Sequence, residues 1–402
     1  PEGQPEMRGE TRLMLGTEIV GFTDLKLSAT GTSFFAEGSG SLNLAEPSVD
    51  GKIEWSDFQW PLIDDSPLVS SPAGQTRLKG MPDNWVLQGA VELVSAGFQA
   101  GHVIFEGAGN LDSASAEMTQ ADVLNGSVNG WIKADWSQKL DWSAEIHASE
   151  IETATLLPDI PGRISLHALA EGKAGIEQLD VDVRTLNGKL RDIPVTASGG
   201  FSLDKEEWGL ASMEINSGPS RIRADGSPWQ SPGLQLQLDS VDLALAEAFM
   251  NDASAQGLLD GSLEVFLGDS EPIIRGSLHS EELILNETTV SNLDLILSGA
   301  TPLSLVELNL NTDYARVEAR LTGVLSNWNE LPTARWDGQI EQLILQPPDY
   351  EQLTLQEAAP LSLAGNSVSL ETACLIGVAD SRLCLDAQWN PEGLNANITL
   401  QE

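Results

Sequence analysis

An all-β, elongated and mostly antiparallel fold is predicted for this 402-residue chain by three observations. Apolar and polar residues alternate with period two almost everywhere, helical periodicity is scarce, and Asn-Gly or Asp-Gly dipeptides punctuate the runs at hairpin-like intervals. Alternation of this kind puts every second side chain on the same face of a strand, aliphatic on one side and polar on the other.

In chain order, the half-buried strands begin with Leu25-Lys26-Leu27, Leu42-Asn43-Leu44, Ile53-Glu54-Trp55 and Val91-Glu92-Leu93. Leu179-Asp180-Val181-Asp182-Val183 places three apolar side chains on one face and two carboxylates on the other, and Leu234-Gln235-Leu236-Gln237-Leu238 repeats the device with amides. Leu263-Glu264-Val265, Leu293 to Leu297, Leu303-Ser304-Leu305, Leu308-Asn309-Leu310 and Val317 to Leu321 continue it. Turns are expected at Asn125-Gly126, Asn187-Gly188, Asp225-Gly226, Asp260-Gly261 and Asp337-Gly338. Two helical candidates interrupt the pattern, at 243–250 and near 151–157, although an alternating Leu-Ala-Leu-Ala segment is equally compatible with a strand.

The tryptophans suggest an internal repeat: a strand ending in Gly, a loop bearing Trp, then a new strand. Trp85, Trp136, Trp229 and Trp328 fit that phrase at intervals compatible with a unit of about fifty residues. Each ring is expected to plug an end of the sheet. With no obvious linker, residues 1–402 read as one continuous repeat-built body and as a piece of something longer.

Sixty acidic against 21 basic residues give a net charge of −39, which repels nucleic acid and anionic membrane surfaces alike. Any traffic with lipid must therefore run through apolar contact. No window reaches the run of about 18 apolar residues that a membrane helix needs. Cys374 and Cys384 are the two cysteines. Centred on Ala379, they would sit opposite each other in a hairpin, so a structural disulfide in an oxidising compartment is favoured over two buried thiols.

The phrase Leu321-Thr322-Gly323, Trp328, Leu331-Pro332, Trp336, Gly338 and Ile340, followed by Leu361-Ser362-Leu363, Cys374, Cys384-Leu385 and Trp389, resembles the TamB family. That family comprises inner-membrane-anchored subunits of the bacterial translocation and assembly module and is related to AsmA-like proteins. The stretch from Leu321 to Trp389 carries that name; the earlier repeats match the wider AsmA-like class. The resemblance implies a long, curved sheet folded into a trough, a β-taco or repeating β-groove with an apolar inner face, located in the periplasm of a Gram-negative bacterium. It implies phospholipid as cargo, an Omp85-type outer-membrane barrel as partner through regions outside this chain, and a role in outer-membrane protein assembly. The N-terminal membrane helix and the C-terminal partner-binding region are expected to lie outside these residues.

The groove lining expected from the alternation is Ile53, Trp55, Val91, Leu93, Val103, Phe105, Leu179, Val181, Val183, Leu234, Leu236, Leu238, Leu263, Val265, Leu293, Leu295, Leu297, Leu308, Leu310 and Val317. Glu177, Asp180, Asp182, Gln235, Gln237 and Asp294 are expected to face water. The alternative for the same pattern is a sheet closed on itself around a dry core.

No catalysis, cofactor or metal is expected. His102, His147, His167 and His279 are scattered without ligand spacing, and neither a nucleophile elbow nor a phosphate-cradling loop occurs. The rival reading is a secreted or surface-displayed β-solenoid, such as an adhesin or autotransporter passenger. It calls for short rungs of about twenty residues with Asn ladders in the turns. A third, a carbohydrate-active solenoid enzyme, needs an acid cluster that sixty scattered carboxylates do not single out.

Overall fold

A computed structural model describes residues 6–63, 69–95, 98–155, 158, 160–174, 177–205, 207–245, 255–267, 272–285, 288–300, 303–326, 334–365, 367–377, 381–391 and 393–401. The chain divides into two compact units, Pro1–Glu206 and Glu207–Glu402. The first holds β1 (Met7–Leu15), β2 (Ile19–Ala29), β3 (Phe35–Asn43), β4 (Ser48–Trp60), β5 (Val69–Met81), β6 (Asn84–Ser95), β7 (Phe98–Gly109), β8 (Ser113–Val123), β9 (Gly126–Asp135), β10 (Asp141–Glu152), β11 (Gly162–Lys173), β12 (Gln178–Leu190) and β13 (Ile193–Asp204). The second holds β14 (Glu207–Ser217), β15 (Ser220–Gly226), β16 (Leu234–Asp242), β17 (Ala255–Leu267), β18 (Pro272–Leu285), β19 (Thr288–Ala300), β20 (Leu303–Thr312), β21 (Arg316–Ser326), β22 (Arg335–Gln346), β23 (Leu353–Leu355), β24 (Ala359–Ala364), β25 (Ser367–Ile376), β26 (Arg382–Asn390) and β27 (Gly393–Gln401).

Within each unit the strands form a meander in which sequence neighbours pair antiparallel, as in β4–β5, β11–β12 and β19–β20. Among the described residues the one variation is that β23 and β24 share the place between β22 and β25. The all-β antiparallel class is therefore as the alternation predicts. A β-solenoid stacks its rungs in parallel, and no described pairing is parallel.

Bulges keep the apolar set on one face. In β16 the alternation slips by one residue between Leu238 and Val241, and Ser240 takes a left-handed φ of 50° there. The slip inserts one residue, so both apolar side chains stay on the same side. The same device lies between Phe22 and Leu25 at Asp24 and between Ser291 and Asp294 at Asn292.

Several turn expectations are corrected. Leu124-Asn125 does form a tight turn, both residues having positive φ and Val123 pairing with Gly126. Asn187-Gly188, Asp260-Gly261 and Asp337-Gly338 instead lie inside β12, β17 and β22. Their glycines serve close strand approach: a Cβ on Gly188 would run into the Arg163 carbonyl. The true turn after β12 is Arg191-Asp192, again with two positive φ values. Asp225-Gly226 ends β15, and the chain turns just beyond it.

The helix expected at 243–250 is a short 3-10 turn over Leu243–Leu245, and 246–250 lie outside the described residues. Near 151–157, Ile151 and Glu152 finish β10 and 154–155 turn, so no helix forms among the described residues; 156 and 157 lie outside them. Trp328 and the 331–332 dipeptide also lie outside the described residues. Trp85 and Trp136 meet at one turn: their indole nitrogens donate to the carbonyls of Asn110 and Leu111, at 3.3 and 2.7 Å.

Candidate functional site: an apolar lane on one face of each unit

In an antiparallel pair, residues directly opposite share a face, so cross-strand register converts the alternation into rows. In the first unit one row runs Leu25, Gly38, Ile53, Thr76, Gly89, Phe105, Met118, Gly130, Ile146, Ala168, Val183, Gly199. A parallel row runs Leu27, Ala36, Trp55, Gly74, Val91, Val103, Ala121, Val128, Ala148, Leu166, Leu186, Ala197. No charged residue enters either. At about 4.8 Å per strand the lane from β2 to β13 is about 50 Å long.

The second unit repeats the arrangement. Met213, Ala224, Leu236, Leu263, Gly276, Leu297, Val306, Leu321, Ile340 and Ala359 follow one another from β14 to β24. Beside them run Ile222, Leu238, Gly261, Leu278, Leu295, Leu308, Ala319 and Leu343. Leu310 opposes Val317, and Leu234 opposes Val265, on the same face.

All the residues named from sequence as lining fall on these faces. Val103 and Leu234 are buried and the others half-buried. Sequence reading missed the Gly, Ala and Thr members of each row, because a small residue carries no hydrophobic signal by itself. The lining set named from sequence also left out Leu42, Ile132 and Ile146, aliphatics of this face that are 41%, 45% and 43% exposed. Such exposure does not fit a closed core. Near one margin of the first unit the face deepens into a cavity of about 430 Å³, lined by Leu42, Pro47, Val49, Leu78, Met81, Pro82, Trp85 and Leu87.

The opposite face is ionic. Arg223 lies between Glu214 and Asp239, Arg320 reaches Glu307, and Arg77 makes a paired contact with Asp50 at 3.0 and 2.9 Å. The hydrogen bond from Arg77 lowers the Asp50 pKa, and one from Asn216, helped by Arg221 and Arg223, lowers that of Glu214. Asp180, Gln235, Gln237 and Asp294 are exposed there as expected, Glu177 is exposed in the turn before β12, and Asp182 is half-buried and paired with Arg184. Exposed pairs of this kind add little stability and chiefly keep the face wet.

Cys374 and Cys384 are bonded and lie opposite each other in β25 and β26, as their spacing predicts. Their neighbours Ala373 and Leu375 are buried on the apolar side, so the disulfide sits on the other face. The histidine expectation is corrected: His147 and His167 lie on adjacent strands and face each other. Sequence spacing could not show it, because the contact depends on the β10–β11 register.

Among the described residues no helix is long and apolar enough to cross a membrane. No solved structure matches the chain. A family model described as TamB, N-terminal domain, matches residues 9–265. The matched residues run from β1 into β17 and precede the stretch from Leu321 to Trp389 whose phrase carries the sequence resemblance. With most of its length under that match, the chain belongs to the TamB family.

Proposed function

We propose that this chain carries phospholipid along its apolar lanes within the periplasm, as part of an inner-membrane-anchored protein that serves the outer membrane and works with an Omp85-type barrel. It does so without catalysis. The observation that carries the proposal is the uncharged, register-matched lane in each unit, whose aliphatic side chains stay partly open to solvent. A two-tailed lipid has about thirty methylenes, each costing about 0.8 kcal/mol to expose to water. A shallow aliphatic face removes most of that cost while leaving the headgroup wet. Its monotony matters too, since one deep specific pocket would hold the lipid in place. The acidic face disfavours anionic headgroups and so confines lipid to the other side.

The test is photo-crosslinking to phospholipid from single unnatural residues, together with mass spectrometry of an organic extract of detergent-free protein. Val183 and Leu308, in the lanes, should crosslink to lipid, and Asp182 and Asn309, one residue away on the ionic face, should not. Equal labelling of both faces, or none from either, would overturn the proposal.

A further inference from the structure

The polar face of the first unit carries one cluster that lipid handling does not use. His147 of β10 and His167 of β11 are directly opposed, and their rings stack with centroids 4.0 Å apart. Both Nε2 atoms lie against the same oxygen, Glu145 Oε1, at 3.1 and 2.8 Å. Glu145 precedes His147 by two residues, which puts it on the same face. Its other oxygen accepts a hydrogen bond of 2.8 Å from Trp131 Nε1 in β9. Three adjacent strands therefore build the cluster.

We propose that Glu145, His147 and His167 bind one divalent transition-metal ion of the Zn²⁺ or Cu²⁺ type, through two imidazole nitrogens and one carboxylate oxygen. Metal–ligand distances of about 2.0–2.1 Å in a tetrahedral zinc site put neighbouring ligand atoms about 3.3 Å apart. The three ligand atoms already lie within 4.8 Å of one another, and the two nitrogen–oxygen separations are within about half an ångström of the required value. Binding replaces the two hydrogen bonds to Oε1 with metal bonds, the Nε2 atoms taking the unprotonated tautomer. Water completes the coordination, since the side chains are 25% to 46% exposed and reachable from solvent. Trp131 supplies the outer support such sites use, holding the carboxylate by its second oxygen.

The donor set decides the class of ion. Imidazole nitrogens suit zinc and copper, whereas calcium and magnesium call for oxygen ligands. Charges around the cluster are mixed: Glu117 opposes Trp131 on the same face and favours a cation, Asp182 opposite Leu169 is paired with Arg184, and the Lys133 ammonium over the Trp131 ring works against one, so the three ligands themselves must supply the affinity. His279 offers the internal contrast, since its contact is with one carboxylate, Asp294, at 2.7 Å.

The 402-residue chain, stripped with chelator, should bind one Zn²⁺ per chain in isothermal titration calorimetry, Cu²⁺ more tightly, and Mg²⁺ not measurably. Replacing His147→Gln or His167→Gln should weaken Zn²⁺ binding about tenfold or more, and Glu145→Gln less, while His279→Gln leaves it unchanged. In the unmodified chain, Zn²⁺ should protect His147 and His167 from diethyl pyrocarbonate, mapped by mass spectrometry, and leave His102 and His279 reactive. That arm does not depend on any variant folding. Undiminished one-to-one binding in the double His→Gln variant, or equal reactivity of His147 and His167 with and without Zn²⁺, would overturn the assignment.

Discussion

An aromatic ring laid over a glycine of the neighbouring strand recurs in this protein. Trp55 covers Gly74, Phe105 covers Gly89, Trp85 covers Gly109 and Trp336 covers Gly323. Each glycine leaves a notch that the ring fills, which smooths the apolar face and shields a stretch of backbone. At Gly74 an added methyl would overlap the Trp55 ring, which is anchored by a 2.9 Å hydrogen bond from its Nε1 to buried Ser71. Gly74→Ala should therefore lower stability by about 1–3 kcal/mol. Gly74→Ala combined with Trp55→Leu should cost less than the two single changes added together, because the clash is gone. Thermal unfolding of the four proteins measures that coupling, and strict additivity would mean that the ring moves aside freely.

At the scale of elements, bulges and one covalent link manage the meander. Left-handed residues such as Asp24, Ser240 and Asn292 absorb one-residue slips in the alternation; without them, the next apolar side chain would cross to the wet face. The β25–β26 disulfide joins strands close to the end of the meander, with β27 beyond it pairing on β26. Replacing both cysteines with Ser should lower stability by about 2–3 kcal/mol. Lipid crosslinking at Leu308 should be unchanged, because the bridge lies on the face opposite the apolar side. Thermal denaturation and crosslinking of the same preparation check both halves; a loss of crosslinking in folded protein would give the disulfide a transport role it lacks here. The spacing of Cys374 and Cys384 made this element legible in advance. The glycine dipeptides misled, because Asn-Gly and Asp-Gly favour turns locally but are equally usable where two strands must approach closely.

For the whole molecule, the governing contrast, present in each unit by itself, is between a face without ions among the described residues and a face crowded with them. In a closed dry core a new charge has no water to reach, and the protein fails to fold. On a half-exposed lane the same side chain can turn to solvent. Leu236→Asp, in the row through Leu263 and Leu297, should therefore leave the far-UV circular dichroism spectrum unchanged while reducing lipid crosslinking at Leu263 severalfold. Unfolded or unexpressed protein would show the lane of the second unit to be sealed.

The alternation in the sequence alone determined that the described chain is built of β-strands and which side chains of each run share an apolar face. Those properties are local: a period of two acts within a few residues, and Leu179 to Val183 or Leu234 to Leu238 display it whatever they pair with. Only the tertiary structure decided the rows, since the opposition of Leu236 to Leu263, or of Ile53 to Thr76, depends on register between separate strands. The same holds for the glycines under the rings and for His147 beside His167. A one-residue slip would separate every one of these pairs while leaving the local pattern untouched.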